Sequence, residues 1–143
     1  MIEGQANNRW GLTLTTHISI LSPTAILGYG FPEASFREGL SRRPSAIAVD
    51  AGSTDPGPYY LGAGQSFTDR DAVKRDLILM IEAGLDLSIP VLIGTAGGSG
   101  AARHLRWCLD IVQDVLLDLN RSAHVAHIAA DQSAEEVTRA LAE

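Results

Sequence analysis

Apolar positions along this chain fall into short continuous runs that alternate with longer stripes at helical spacing. Ile18-Ser19-Ile20-Leu21-Ser22 is apolar and β-branched, which predicts a first strand, closed by Ser22-Pro23-Thr24. Pro32 suits a first helical position, and a helix is expected from there through Glu33, Ala34, Phe36 and Leu40. Ser41-Arg42-Arg43-Pro44 stops it. Ala46-Ile47-Ala48-Val49-Asp50 predicts the second strand. Val73, Leu77, Met80, Ile81 and Leu85 then lie on one face of a helix that Thr68 would cap, with Asp71 reaching back. Asp71 and Arg75, four apart, are expected to pair on its wet side. Ile89-Pro90-Val91-Leu92-Ile93-Gly94 is nearly continuous in its apolar character, as in a parallel strand covered on both faces. A long helix over 101–119 would bury Leu105, Cys108, Leu109, Val112, Leu116 and Leu119. Asp110, Asp114 and Asp118 would face solvent, since like charges four apart weaken a helix. Residues 125–130 read as a fourth strand, and Ser133 with Glu136 forms a capping box for a last helix to Glu143.

Strand, loop and helix thus recur four times. The expected class is α/β: an open, mostly parallel sheet with helices on both faces, Rossmann-like, with about four βα units. Residues 18–143 make a single domain in this reading, and residues 1–17, which lack a clean period, a poorly ordered extension.

Composition narrows the function classes. A chain of 143 residues, 45% apolar and 20% charged, is suited to one soluble core. Its net charge of −6 argues against nucleic acid or an anionic membrane as partner, because a phosphate surface needs a basic face. Cys108 is the only cysteine, so there is no disulfide framework and no cysteine-based zinc site; it reads as a small core residue in a reducing cytoplasm. No apolar run approaches the ~18 residues of a membrane span, and the first residues show no secretory pattern. His124 and His127, three apart on a strand, face opposite sides and cannot share a metal; His17 receives no role, and no metal site is expected.

Candidate chemistry lies in the loops that leave the strand carboxyl ends, where open α/β sheets bind ligands. The loop over 50–65 holds Gly52, Ser53, Thr54 and Asp55 between strand and helix, with further Gly and Pro that are expected to bar both helix and ladder. A connection so long is uncommon unless functional; the plainer alternative is a surface connection whose Asp and Ser cap turns. Asp50 and Asp55, with Glu33 as a further carboxylate, are the candidates for acid–base work or for a hard cation. Ser53 or Thr54 would serve as nucleophile only with a neighbouring base, and none is identifiable. Gly97, Gly98, Ser99 and Gly100 precede a helix start, and with Arg103 and His104 in its first turn they form the candidate anion site. A tight turn at positive φ is the alternative. Phosphate motifs do not fit. No Lys follows the glycines, Gly28-Tyr29-Gly30-Phe31-Pro32-Glu33 comes too late after its strand, and Gly98-Ser99-Gly100-Ala101-Ala102-Arg103 lacks the third glycine. No cofactor is assigned.

Three stretches carry a family resemblance. Leu21-Ser22-Pro23-Thr24-Ala25-Ile26-Leu27-Gly28-Tyr29-Gly30-Phe31, the loop Asp50-Ala51-Gly52-Ser53-Thr54-Asp55-Pro56-Gly57-Pro58-Tyr59-Tyr60-Leu61-Gly62, and Ile93-Gly94-Thr95-Ala96-Gly97-Gly98 resemble motifs of the acyclic terpene utilisation (AtuA) family. The resemblance runs from about Ile18 to Asp131 and implies the amino-terminal part of a longer architecture. It implies a role in bacterial breakdown of acyclic terpenes through acyl-CoA intermediates, with no reaction assigned. Two classes of function follow as expectations. One is an enzyme, or part of one, acting on a small carboxylate or its CoA thioester. The other is a non-catalytic ligand-binding or subunit-interaction module, inactive alone, either a homo-oligomer or joined to a pathway partner.

Overall fold

The structure, a computed structural model, describes residues 17–53 and 56–142. Three short parallel strands form the sheet: β1 (Ile20–Leu21), β2 (Ala46–Asp50) and β3 (Val91–Gly94), in the order β1-β2-β3. Ile20 pairs with Ala46, and Ile47 through Asp50 pair in turn with Val91 through Gly94. Helix α1 (Glu33–Ser41) connects the first two strands, α2 (Pro58–Ala63) and α3 (Arg70–Leu87) connect the next two, and α4 (Ala102–Asp118) follows β3. A last helix, α5 (Ala134–Leu141), closes the described chain. The chain is therefore α/β with a parallel sheet.

Period two along the strands decides what the sheet buries. Ile47 and Val49 are buried, and Leu21, Val91 and Ile93 lie beside them on the same face. Val73, Leu77, Met80 and Ile81 of α3 and Ile111, Val112 and Val115 of α4 complete that core. Ile20 and Leu92 point to the opposite face and remain 60% and 52% exposed, so the described helices leave that face largely open rather than covering both. Burying the seven named helix side chains supplies on the order of 2 kcal/mol each.

Several elements differ from the pattern-based reading. Residues 125–130 form no strand; they lie exposed and carry no ladder, because an extended segment is stable only beside a partner. The loop after β2 does contain a helix: Pro58 occupies the first turn of α2, where its missing N–H costs nothing, and Gly64 closes it at φ +66°. Asp69, not Thr68, caps α3, accepting from the N–H of Asp71 and Ala72, while the Thr68 hydroxyl pairs with Ser66. Arg75 turns to Asp76 instead of Asp71. On α4 the buried stripe is rotated by about one residue, with His104, Ile111 and Val115 inside and Leu105, Leu109 and Leu116 half-buried. Cross-helix ion pairs accompany this: Asp114 meets Arg70 at 2.8 Å and Asp118 meets Lys74 at 2.7 Å. The capping box of Ser133 and Glu136 is present, and Cys108 is a buried core residue. Residues 1–16 of the expected extension lie outside the described residues, as do Thr54 and Asp55.

Candidate functional site

The parallel sheet brings the loops after its strands to one rim. The first is fastened there by backbone and by a carboxylate. Leu27 N–H donates to the Asp50 carbonyl at 2.8 Å, and Leu27 itself is buried. Gly28 and Gly30, both at positive φ, direct their N–H groups at one oxygen of Asp76, at 2.8 and 3.1 Å. The other oxygen accepts two bonds from the Arg75 guanidinium, at 3.1 and 2.9 Å. Asp76 is 1% exposed and was not singled out by pattern, yet it lies on the stripe of Val73, Leu77 and Met80. A carboxylate on a buried stripe requires partners, and that is the signal by which it can be found.

The second and third loops pack against each other. Ala51 and Gly52 are buried, and Ala51 N–H donates to the Gly94 carbonyl at 2.9 Å. A Cβ on Gly52 would stand 2.3 Å from Thr95 Cγ2 and 2.9 Å from the Gly98 carbonyl, so only glycine allows this approach. Asp50 is exposed at the rim, and its Oδ1 accepts from Gly52 N–H at 2.8 Å, which makes it in part a turn-forming carboxylate. Ser53 is half-buried on the same loop.

After β3 the chain makes a 3₁₀ turn over Ala96–Gly98. Gly97 is at φ +74°, and a Cβ there would stand 2.2 Å from the His104 carbonyl. Gly97 and Gly98 are buried, and the turn consumes its own donors. Gly98 N–H bonds to Thr95 O, Ser99 and Gly100 N–H to Ala96 O, and Gly97 N–H to the Cys108 sulfur. Those glycines shape the turn rather than offer N–H groups to a ligand. What they expose is the start of α4. Ala101 stands at its N-cap with extended φ/ψ, the geometry in which a polar side chain would cap, but alanine has no acceptor. Among the described residues no side chain caps this helix, and its first turn holds no acid. Arg103 is exposed in that turn, with its side chain laid over Gly64. Unpaired N–H groups, the positive end of the helix dipole and a guanidinium therefore converge beside half-buried Ser99 and Gly100.

His104 does not join them. It is 2% exposed, and its Nε2–H donates to the carbonyls of Tyr60 and Gln65, both at 3.1 Å. Since both partners are acceptors, Nε2 carries the hydrogen, and buried Nδ1 is left without a partner among the described residues. The imidazole pins the segment around α2 onto α4. Burial pushes the Cys108 thiol up, with the Gly97 N–H acting more weakly in the other direction.

A groove of about 450 Å³ lies elsewhere, over Phe31, Ile78 and Leu79. Most of its charged walls are spent on neighbours: Arg75 on Asp76, Lys74 on Asp118 and Glu33 on Arg37, with Asp71 exposed at its margin. Among the described residues no three of His, Cys, Asp or Glu gather as a metal-binding group, and no helix is long and apolar enough to cross a membrane. No protein-family model matches the chain, and neither a curated protein nor a solved structure matches it.

Proposed function

We propose that this chain is a ligand-binding α/β unit of the acyclic terpene utilisation type, with a rim that holds the anionic end of a small branched carboxylate or its CoA thioester. The start of α4, with no side-chain cap among the described residues, Arg103 in its first turn and no acid in that turn, is the observation that carries this reading. Such a terminus attracts a carboxylate or phosphate through N–H groups that have no internal partner. Asp50, exposed on the adjacent loop, is the candidate for acid–base work, with Asp55 of the same loop. Ser53, Thr54, Ser99 and Gly100 would line the ligand, and Gly52, Gly97 and Gly98 would hold the loops together. The four-unit plan belongs to this reading only with residues 125–130 becoming a strand beside a partner edge. So does a cytoplasmic setting, which suits a lone buried thiol. The net charge of −6 disfavours nucleic acid as the partner.

A second reading, a non-catalytic module that docks on other subunits, is favoured by one feature: the open apolar face bearing Ile20 and Leu92. Calorimetry separates the two. Coenzyme A, a branched acyl-CoA and the free branched acid are titrated into the protein and into Arg103→Ala. The first reading expects saturable binding that weakens roughly tenfold on loss of the guanidinium, a change of ~1.4 kcal/mol. Absence of binding, or binding indifferent to Arg103, would favour the module.

A further inference from the structure

Two unsatisfied surfaces occur on the same chain. One belongs to the sheet. Its order ends at β3, so among the described residues one edge of Val91–Gly94 has no strand partner. That edge carries neither charge nor proline within the strand, which leaves it an unguarded template for another strand. Leu92 on this strand is 52% exposed, and Ile18 and Ile20, at the opposite edge of the sheet but towards the same open face, are 75% and 60% exposed.

The other surface is an arm. Every residue over 121–142 is exposed, including Val125, Ile128, Val137 and Leu141. Residues 125–130 read Val-Ala-His-Ile-Ala-Ala, an apolar run with strand character and no fixed charge. Helix α5 is capped at its start, and Ala134, Val137 and Leu141 fall on one stripe with nothing upon it. Eight residues are too few for a helix to persist in water without cover. The exit of the arm is fixed. Asn120 is at φ +50°, its N–H and that of Arg121 bond back to Leu117 and Leu116, and Arg121 pairs with Asp86 at 3.0 Å.

We propose that two copies of this chain exchange these arms. Residues 125–130 of each copy add as a fourth strand along the free edge of β3 in the other, and α5 lays its apolar stripe over the open sheet face. Among the described residues the chain offers one arm and one free sheet edge of four residues at β3, the other edge being the two residues of β1, so a two-fold arrangement matches each arm to the longer edge of the other copy. Beyond the anchored exit at Arg121 the arm is exposed throughout, and a second copy can receive it without breaking that anchor. The seven exposed apolar side chains, at on the order of 100 Å² each, offer roughly 700 Å² per chain. Two copies would cover about twice that, within the range of a specific interface of about 1,200–2,000 Å².

Sedimentation velocity of the full chain, with circular dichroism to confirm folding, tests the exchange. The expected species has twice the 15.2 kDa chain mass. Ile128→Asp, at a position 91% exposed, spoils the arm without touching the core, and Leu92→Asp spoils the receiving sheet. Each raises the dimer dissociation constant at least tenfold. Mixing the two variants restores a dimer, since one intact arm meets one intact sheet. A wild-type monomer at all concentrations, with the arm either protected on its own sheet or fully labile, overturns the proposal. A dimer indifferent to Ile128→Asp overturns it, as does a mixture that stays dissociated while both variants remain folded. Should Leu92→Asp fail to fold, Ile128→Asp alone decides.

Discussion

Replacing Asp76 by alanine removes the one acceptor that two backbone N–H groups of the first rim loop share. Its Oδ2 is 2.8 Å from Gly28 N and 3.1 Å from Gly30 N, and no water can substitute freely where the side chain is 1% exposed. Gly28 and Gly30 are half-buried, and each N–H left without a partner there costs up to ~1–3 kcal/mol. Arg75 adds little to that cost, because its side chain is 59% exposed and regains water. The total is ~2–6 kcal/mol, a large share of the ~5–15 kcal/mol that holds a typical domain. Asp76→Asn retains an oxygen for both N–H groups but turns its amide NH2 towards the Arg75 donors, losing those two bonds with the charge; since Arg75 regains water, it should cost ~1–2 kcal/mol. Urea unfolding followed by circular dichroism gives the two differences. Hydrogen exchange at Gly28 and Gly30 then shows whether the loss is local. An alanine variant within 1 kcal/mol of wild type, or unchanged protection at both glycines, would refute the claim that Asp76 fastens this loop.

The thiol of Cys108, buried and pushed up by burial, should resist iodoacetamide in the folded protein and label fully in denaturant; fast native labelling would show that α4 opens. The Arg70 guanidinium holds the Asp114 carboxyl below the usual range, so the stability that their pair contributes is full above the ordinary carboxylate value and lost as pH falls through the folded value. Asp114→Asn should accordingly flatten the acid limb of a stability-against-pH curve, and an unaltered limb would count against the pair.

How far the fold could be read from residues alone depended on how local each signal was. Ala46–Val49 is a continuous apolar run closed by Asp50, and Ser133 with Glu136 is a four-residue motif, so both were legible. The cap of α3 was missed by one residue because Thr68 and Asp69 are both good caps, and Ser66 engages the first. The face of α4 was not legible locally: leucines surround that helix, and its rotation is accompanied by pairs with Arg70 and Lys74, 44 residues earlier. Residues 125–130 have strand character without a ladder, a distinction that depends on a partner and not on composition. At the rim, periodicity placed Asp50 and the glycine turn correctly at strand ends. It could not show that the turn would spend its own N–H groups, or that His104 would face inward to Tyr60 and Gln65.

Ala101→Asp tests the proposed anion site most directly, because it supplies from within the chain the charge that a ligand would bring. The N-cap geometry at Ala101, φ −68° and ψ 157°, lets an aspartate accept from the first-turn N–H groups. Thermal unfolding and calorimetric titration with coenzyme A and a branched carboxylate are measured on the same preparation. The account predicts a protein more stable by ~0.5–2 kcal/mol that no longer binds the anion. Binding at wild-type affinity in a stabilised Ala101→Asp protein would place any ligand elsewhere and leave the start of α4 as an uncapped helix end only.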